Sequence, residues 1–451
     1  MPRGGKNQMT SESSAAVTPD QRVAGEVPGE AAKPISATDA PRLVSLDFIR
    51  GIAVLGILFA NITAFGQPYI AYLWPPAMAG GMTEGDQAVW LFQFVAVDGK
   101  FRGLFTLLFG AGLYLFMERA WARGAGRGLQ ARRLLFLMLF GLAHYFLIWR
   151  GDILTLYAVW GLVALLMIRW KAKTQLTVGL IFTTLGGMLM AALMAFQFAA
   201  AEIPEVRDSM PAEAREQIDN VEPDMLADSK DEIALYQDGS YPEIVTETVT
   251  GEWGQLVSEL LIVGPVETIG LILIGMGLYR MGLFTGGISR RTLLIWGWLG
   301  VIVGMVTSYL AGQIAYSAGF PFFTTLFVFN GLGQLPHVVT AIGLLLLLAH
   351  WGPGLAKGWL GQRFVAAGRM AFSNYLGTSI VMMLVFHGWA LGLFGQFDRL
   401  ELMGVVAAMW VLMLLWSKPW LSVFRFGPLE WLWRCLTYGK LLPIRRQPDA
   451  G

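Results

Sequence analysis

Cysteine is almost absent from this chain of 451 residues. Cys435 is the single cysteine, so an internal disulfide and metal motifs built on paired cysteines are excluded. Cys435 is best interpreted as a small apolar side chain in the protein interior. The phosphate-binding loop, the dinucleotide-binding glycine pattern and the HExxH metal motif are also missing. No common nucleotide or metal chemistry can therefore be assigned from a motif.

Charged residues are scarce as well. They make up 14% of the sequence, whereas about a quarter of a typical soluble protein is charged. The formal net charge is +1, which provides no general attraction for nucleic acid. In contrast, 55% of the residues are hydrophobic and the mean hydropathy is +0.54. The composition therefore predicts a polytopic protein whose main partner is the lipid bilayer.

Long apolar runs recur along the whole chain, at the length that a helix needs to cross a bilayer. They predict an all-α, polytopic transmembrane helical bundle of about ten spans. The predicted spans are 46–66, 102–118, 134–150, 153–169, 175–199, 256–279, 292–316, 335–351, 370–394 and 400–417. No repeat of constant period relates two halves of the chain, which weighs against a transporter built from inverted repeats.

Three segments are predicted to lie outside the bundle. Residues 1–41 are rich in small and polar residues and lack an apolar signal core, which predicts a disordered tail. Residues 201–255 form an acidic insertion interrupted by prolines, so short helices and disorder both remain open, and a solvated surface is favoured over a cation site. Residues 441–451 form a short tail, and 42–440 is the integral membrane domain.

Basic residues predict the orientation of the bundle. They cluster after every even-numbered span, whereas the alternate loops hold few basic residues besides Arg150 and Arg399. By the positive-inside rule, both termini face the cytoplasm. The acidic insertion is then extracytoplasmic.

Several segments resemble one family in their order and spacing. They include LVSLDFIRGIAVLGILFANITAFGQP (43–68), KFRGLFTLLFGAGL (100–113), GLAHYFLIWRGDILTLYAVWGL (141–162) and GRMAFSNYLGTSI (368–380). These segments resemble the YeiB-like proteins, also known as domain of unknown function 418. The resemblance covers nearly all of 43–440 except the acidic insertion. It implies a multi-pass protein of the bacterial inner membrane.

The LDFIRG motif is also similar to the start of transmembrane acyltransferases, both of the heparan-glucosaminide N-acetyltransferase type and of the bacterial type that modifies sugars. This resemblance implies transfer of an acyl group from cytoplasmic acyl-CoA, as a co-substrate and not a bound cofactor. The acceptor is then a small molecule, lipid or glycan at or beyond the membrane. The sequence departs from the sugar-modifying type at Asn61, where those enzymes have a histidine.

Candidate donor-binding residues lie at the cytoplasmic ends of two predicted spans. Asp47 and Arg50 are three residues apart, so they share a helix face and can pair. Either they cap and anchor the helix, or Arg50 binds a phosphate or carboxylate of a donor. Arg369 and Asn374 are predicted to meet Arg50 in a polar vestibule. Arg369 equally fits a positive-inside anchor.

Candidate catalytic residues lie in HYFLIWRGDILTLY (144–157), on both sides of a tight turn. His144 is either a hydrogen-bonded packing residue or a general base, and the second role is favoured because imidazole exchanges protons near neutral pH. Asp152 is favoured as a helix cap, with orientation of the imidazole or binding of the acceptor as the alternatives. Tyr157 is expected at a depth similar to that of His144.

Asn61, Glu267 and His387 are further polar residues inside predicted spans. Asn61 is expected to hydrogen-bond to a neighbouring helix. Glu267 must be protonated or paired, and it is a candidate for handling protons. His387 either packs beside Trp389 or converges with His144. A path through Glu267, His144 and His387 would define a transporter, which is the alternative to the acyltransferase.

Overall fold

The computed structural model describes residues 43–446, so the predicted tail 1–41 and residues 447–451 of the tail 441–451 lie outside it. Eighteen α-helices follow one another in this range. They are α1 (Val44–Gly66), α2 (Glu84–Ala96), α3 (Lys100–Trp121), α4 (Arg127–Leu147), α5 (Leu154–Ala164), α6 (Ala172–Glu202), α7 (Pro204–Asp208), α8 (Ala212–Asp238), α9 (Tyr241–Gly251), α10 (Trp253–Ser258), α11 (Ile269–Arg280), α12 (Arg290–Ala318), α13 (Phe322–Leu326), α14 (Gln334–Leu355), α15 (Trp359–Arg369), α16 (Ala371–Phe386), α17 (Arg399–Val423) and α18 (Pro428–Tyr438).

Seven helical segments are long and apolar enough to cross a membrane, and α15 with α16 makes an eighth if this pair, bent by 83°, counts as one span. The all-α transmembrane fold is thereby confirmed, but the count of ten is not. The predicted span 153–169 contains α5, which has only 11 residues. Such a helix is about 16 Å long, roughly half the hydrocarbon thickness of a bilayer.

Burial separates a central helix from the lipid-facing ones. In the most apolar window of α1, 78% of the residues are buried, against 17% for α6 and 28% for α12. The exposed side chains of α6 are large and apolar, and they include Leu185 and Phe196. Apolar side chains stay exposed at such length only where lipid covers them. Helix α1 therefore forms the centre of the bundle.

Glycines let neighbouring helices approach until their backbones touch. A Cβ atom on Gly110 of α3 would lie 2.2 Å from the carbonyl oxygen of Ile272, and one on Gly275 of α11 would lie 2.0 Å from that of Leu107. Small residues at such crossings are typical of helix packing in membranes. The contact fixes α3, which lines the site described below.

The acidic insertion is helical and packs back onto the bundle. The Glu232 carboxylate of α8 accepts a hydrogen bond from the Tyr69 backbone N–H at 3.1 Å and an ion pair from Arg150 at 2.7 Å. The Gly388 N–H donates to the Tyr236 carbonyl at 2.8 Å. Burial raises the pKa of Glu232, and the facing Arg150 guanidinium opposes that shift. The insertion therefore covers the end of the bundle at which α1 terminates.

Candidate functional site

A cavity of about 300 Å³ lies between α1, α3, α4, α5, α15, α16 and α18. Its lining is rich in arginine, with two carboxylates, Asp47 and Glu430. The lining arginines are Arg50, Arg119, Arg133, Arg369, Arg425 and Arg434. Six guanidinium groups against two carboxylates favour an anionic ligand, and guanidinium is well matched to phosphate. We call this part of the cavity the arginine end.

The cavity becomes apolar away from the arginine end. It follows α3 from Arg119 back to Phe105, a distance of fourteen residues and about 21 Å along the helix axis. The lining in between includes Phe109, Leu113 and Leu137. Tyr157 and Tyr375 also line the cavity, and we call the part that they border, together with Phe105 and Leu154, the inner end. This shape suits a ligand with a charged head and a long, mostly uncharged arm.

His144 and Asp152 form a buried pair beside the inner end. The His144 Nδ1 lies 2.9 Å from the Asp152 Oδ1, and neither side chain is exposed. The other oxygen, Oδ2, accepts the Thr155 backbone N–H at 2.8 Å in the first turn of α5. Asp152 thus caps the helix and orients the imidazole at the same time, so the two roles expected of it are compatible.

The hydrogen bond to Asp152 determines which nitrogen of His144 is free. A carboxylate oxygen accepts a hydrogen bond from Nδ1–H, and a neutral imidazole then has its lone pair on Nε2. The Nε2 atom is buried and has no hydrogen-bond partner among residues 43–446. A buried polar atom without a partner is unusual. In a neutral His144, Nε2 is therefore the nitrogen with a free lone pair.

Gly141 and Tyr375 place this pair. A Cβ atom on Gly141 would lie 2.4 Å from the Thr155 nitrogen and 2.8 Å from Asp152 Oδ2, so only glycine lets α4 approach the start of α5 this closely. The ring of Tyr375 lies 5.2 Å from the ring of His144, centroid to centroid. Because Tyr375 also lines the cavity, it connects the inner end to the His144–Asp152 pair.

The structure brings three of the four candidate donor-binding residues together. Arg50 pairs with Asp47 at 3.1 Å, and both line the cavity with Arg369. The expectation for Asn374 is wrong, because this residue does not line the cavity. Its amide is used in helix packing, where it donates to the Ala367 carbonyl at 3.1 Å and accepts from Trp416 Nε1 at 2.9 Å.

The remaining candidates lie in different places. The Tyr157 hydroxyl lies 2.8 Å from Thr106 Oγ1 at the inner end. Asn61 forms no hydrogen bond to a neighbouring helix within residues 43–446, contrary to expectation, and lines a second, small pocket.

His387 follows α16 about 18 Å beyond Tyr375, where Trp389 donates to its Nδ1 at 3.2 Å. It does not converge with His144.

Glu267 lies in a π-helical stretch, Glu259–Thr268, that joins α10 to α11. Its carboxylate is paired with Arg102 of α3 at 2.6 Å. Arg102 was not among the candidates from the sequence, because it precedes an apolar run and is typical of a helix start. The pair removes the unpaired charge that made Glu267 a candidate for proton transfer.

Most of the residues that line the cavity are not among the candidates from the sequence. The positive-inside rule accounts for Arg119, Arg133 and Arg434 as orientation signals, and it gives no reason for them to meet. In the structure Arg133 lies between the rings of Phe116 and Trp433, 4.6 Å and 4.2 Å from their centroids. Nothing local in the sequence predicts a contact between residues 300 positions apart.

Glu430 connects α18 to the cavity wall. Its Oε1 accepts the backbone N–H groups of Phe372 and Ser373 at 2.8 and 3.0 Å, and its Oε2 accepts the Ser373 hydroxyl at 2.5 Å. Burial raises the pKa of Glu430, although these hydrogen bonds oppose the shift. Glu430 therefore holds α18 against the first turn of α16 at an electrostatic cost.

The variant Glu430→Gln is expected to flatten the dependence of stability on pH. The raised pKa means that the folded protein binds this proton more tightly than the unfolded chain, so wild type gains stability as the pH falls through the raised pKa. Glutamine keeps one oxygen to accept the Phe372 and Ser373 N–H groups, while its NH₂ group donates to the Ser373 hydroxyl, and it cannot titrate. The melting temperature of the detergent-solubilised protein, measured from about pH 8 to about pH 5, tests this. Glu213→Gln on exposed α8 is the control, and parallel wild-type and Glu430→Gln curves would contradict the expectation.

Comparisons with known proteins identify the family of this chain. Residues 278–440 match the family described as "Protein of unknown function (DUF418)". The protein "Uncharacterized protein YeiB" of Escherichia coli (strain K12) is 34% identical over 403 residues, which is 88% of this chain and 96% of that protein. "Uncharacterized protein YxaH" of Bacillus subtilis (strain 168) is 29% identical over 423 residues, 90% of this chain and 96% of that protein. This chain belongs to the YeiB family of membrane proteins, as its sequence motifs predict.

Proposed function

We propose that this protein is a membrane-bound acyltransferase that moves an acyl group from acyl-CoA to an acceptor at or beyond the membrane. One observation carries the proposal: a single cavity extends from six arginines to the neighbourhood of the buried His144–Asp152 pair. In this proposal the arginine end faces the cytoplasm of a bacterial inner membrane, as do both termini. The acidic insertion lies on the opposite side.

The dimensions of the cavity support acyl-CoA as the donor. Its phosphates would lie against the arginine end, where charge-assisted hydrogen bonds to guanidinium are strong. Acyl-CoA carries its thioester on a long flexible arm, and the cavity is about 21 Å long along α3. An arm of that length brings the thioester to the inner end, beside Tyr375. The head and the reacting carbonyl are then held at opposite ends of one binding site.

The His144–Asp152 pair supplies the proton transfers. The hydroxyl or amine of the acceptor attacks the thioester carbonyl carbon while His144 Nε2 takes the proton from the attacking atom. Asp152 stabilises the imidazolium through Nδ1–H and keeps the ring in place. When the tetrahedral intermediate collapses, the C–S bond breaks, and the CoA thiolate receives the proton from His144. The acylated acceptor and free CoA are the products, and the enzyme returns to its starting state.

The placement of the other ionisable groups supports transfer over transport. A proton path would need Glu267, His144 and His387 to converge. Glu267 is instead paired with Arg102. His387 follows the far end of α16 from Tyr375.

The proposal is tested with the full chain in proteoliposomes, given a series of labelled acyl-CoAs and a mixed lipid and glycan extract. Wild type is expected to place label in an acceptor. His144→Gln is expected to lose about 100-fold or more of the rate, the contribution typical of a general base. His350→Gln on α14, outside the cavity lining, is the matched control and should remain active. Absence of both donor binding and transfer in wild type across the acyl-CoA series would refute the proposal.

A further inference from the structure

We propose that Tyr375 separates the donor cavity from a second pocket at Asn61, and that this pocket receives a neutral hydroxyl group of the acceptor. The inference rests on the proposed function, since it assigns the other substrate of the same site. It is carried by the shape and lining of the two spaces. Tyr375 is the one residue that lines both of these described spaces.

The second pocket is small and uncharged. Its volume is about 10 Å³, close to the minimum that one water molecule requires. Its polar side chains come from Asn61 on α1 and from Thr378 and Ser379 on α16, and its remaining lining is apolar apart from Tyr375. A space of this size fits a hydroxyl group. With no charged residue in its lining, it disfavours an ammonium or a carboxylate.

Asn61 has hydrogen-bonding capacity to spare. No hydrogen bond joins its amide to another residue of the range 43–446, and the side chain is half-buried on the central helix. In hydrocarbon a polar amide is expected to find a partner. An amide can both donate to and accept from a hydroxyl group, so Asn61 is suited to hold the acceptor oxygen before attack. A ligand would supply the partner that the protein does not.

The ring of Tyr375 lies where it can separate the two substrates in one position and let them meet in another. Its hydroxyl donates to the Gly151 carbonyl at 3.4 Å and accepts from the Ile153 N–H at 3.3 Å, both longer than usual hydrogen bonds. A turn of the ring therefore breaks only weak bonds. It would bring the Asn61 pocket into contact with the inner end, next to His144. In the closed position the ring keeps water away from the thioester.

Cysteine labelling tests whether Tyr375 separates the donor cavity from the Asn61 pocket, and it needs no substrate. Cys435→Ser removes the native thiol, and Asn61→Cys then reports on the pocket. Two proteins that carry Asn61→Cys are compared, one with the native Tyr375 and one with Tyr375→Ala. A membrane-impermeant thiol reagent is added to each from the side of the arginine end. Labelling is expected to be slow with Tyr375 and about tenfold faster or more with Tyr375→Ala. Tyr375→Phe keeps the ring and is expected to label slowly.

Gly112→Cys serves as the reference. Gly112 lines the donor cavity, and a Cβ atom there meets nothing closer than Arg50 at 3.6 Å. It should label at the same rate with Tyr375 and with Tyr375→Ala, which also shows that the latter is folded. The partition is refuted if Asn61→Cys labels as fast as Gly112→Cys with Tyr375 intact. It is equally refuted if Tyr375→Ala leaves the labelling of Asn61→Cys unchanged.

The linkage formed in the transfer experiment tests the acceptor class. A hydroxyl acceptor gives an oxygen ester that alkali cleaves, whereas an amine acceptor gives an amide that survives. Alkali-labile product from wild type is expected, and alkali-stable product would overturn the hydroxyl assignment. If wild type neither binds a donor nor transfers label, the proposed function fails, and the labelling result still decides whether Tyr375 separates two spaces.

Discussion

Asp152→Asn is expected to reduce acyl transfer by about 10²- to 10⁴-fold while the fold is retained, the range seen when a general base loses its orienting carboxylate. The reason lies in the two hydrogen bonds that Asp152 accepts. One carboxylate oxygen accepts from His144 Nδ1, and the other accepts from the Thr155 N–H. Both bonds need an acceptor, and asparagine has only one oxygen.

Asparagine must therefore give up one of these bonds. If its oxygen caps α5, its NH₂ group faces His144 Nδ1, which must then accept, and the ring proton moves to Nε2. That nitrogen can no longer take a proton from the acceptor. If the oxygen faces His144 instead, the NH₂ group opposes the Thr155 N–H and the cap is lost. A lost cap costs about 1 kcal/mol, so the first arrangement is favoured and transfer is lost through the tautomer.

Rates and melting temperatures together separate the catalytic role of Asp152 from its structural role. Asp152→Ala removes both bonds and leaves a buried nitrogen without a partner, which adds about 1–3 kcal/mol to the loss of the cap. It should lower the melting temperature more than Asp152→Asn, with a similar loss of rate. Asp398→Asn is the matched control, since Asp398 caps α17 through the Glu401 N–H at 2.7 Å. Full transfer by Asp152→Asn would show that the pair is only structural.

The parts of the structure that could be predicted follow from short-range rules. In hydrocarbon each backbone polar group must be satisfied locally, so long apolar runs become helices. Asp47 and Arg50 meet because three residues make nearly one helical turn. His144 and Asp152 meet because only seven residues separate them around a tight turn. For such residues, the separation in the sequence is enough to predict the contact.

The rest depends on contacts between distant segments. The run 153–169 has the composition of a span whether or not its helix crosses, and only packing shows that α5 ends after 11 residues. The sequence predicts Asn374 as a vestibule residue, but in the structure its amide forms hydrogen bonds with Trp416 and Ala367. The arginines of the cavity come from five separate parts of the chain. No local pattern distinguishes an arginine that anchors a helix from one that binds a ligand.

The double variant Arg50→Gln, Arg369→Gln is expected to weaken donor binding by about 10²- to 10⁴-fold, because each lost charge-assisted hydrogen bond is worth about 1.5–3 kcal/mol and 1.4 kcal/mol is a factor of ten. Both residues line the arginine end, so neither acts on the His144–Asp152 pair directly. The measurement is equilibrium binding of a non-transferable acyl-CoA analogue. Arg290→Gln is the matched control, since Arg290 begins α12 outside the cavity lining.

Comparison with a donor that lacks phosphate shows what the arginines recognise. If they bind phosphate, wild type should lose affinity when the phosphates are removed from the analogue, and the double variant should lose little more. The difference between the two losses is the coupling energy between arginine and phosphate. Wild-type affinity should also fall as salt rises, and that of the variant should fall less, because fewer charges are screened. Equal losses in wild type and variant would mean that the arginines orient the protein in the membrane and do not bind the donor.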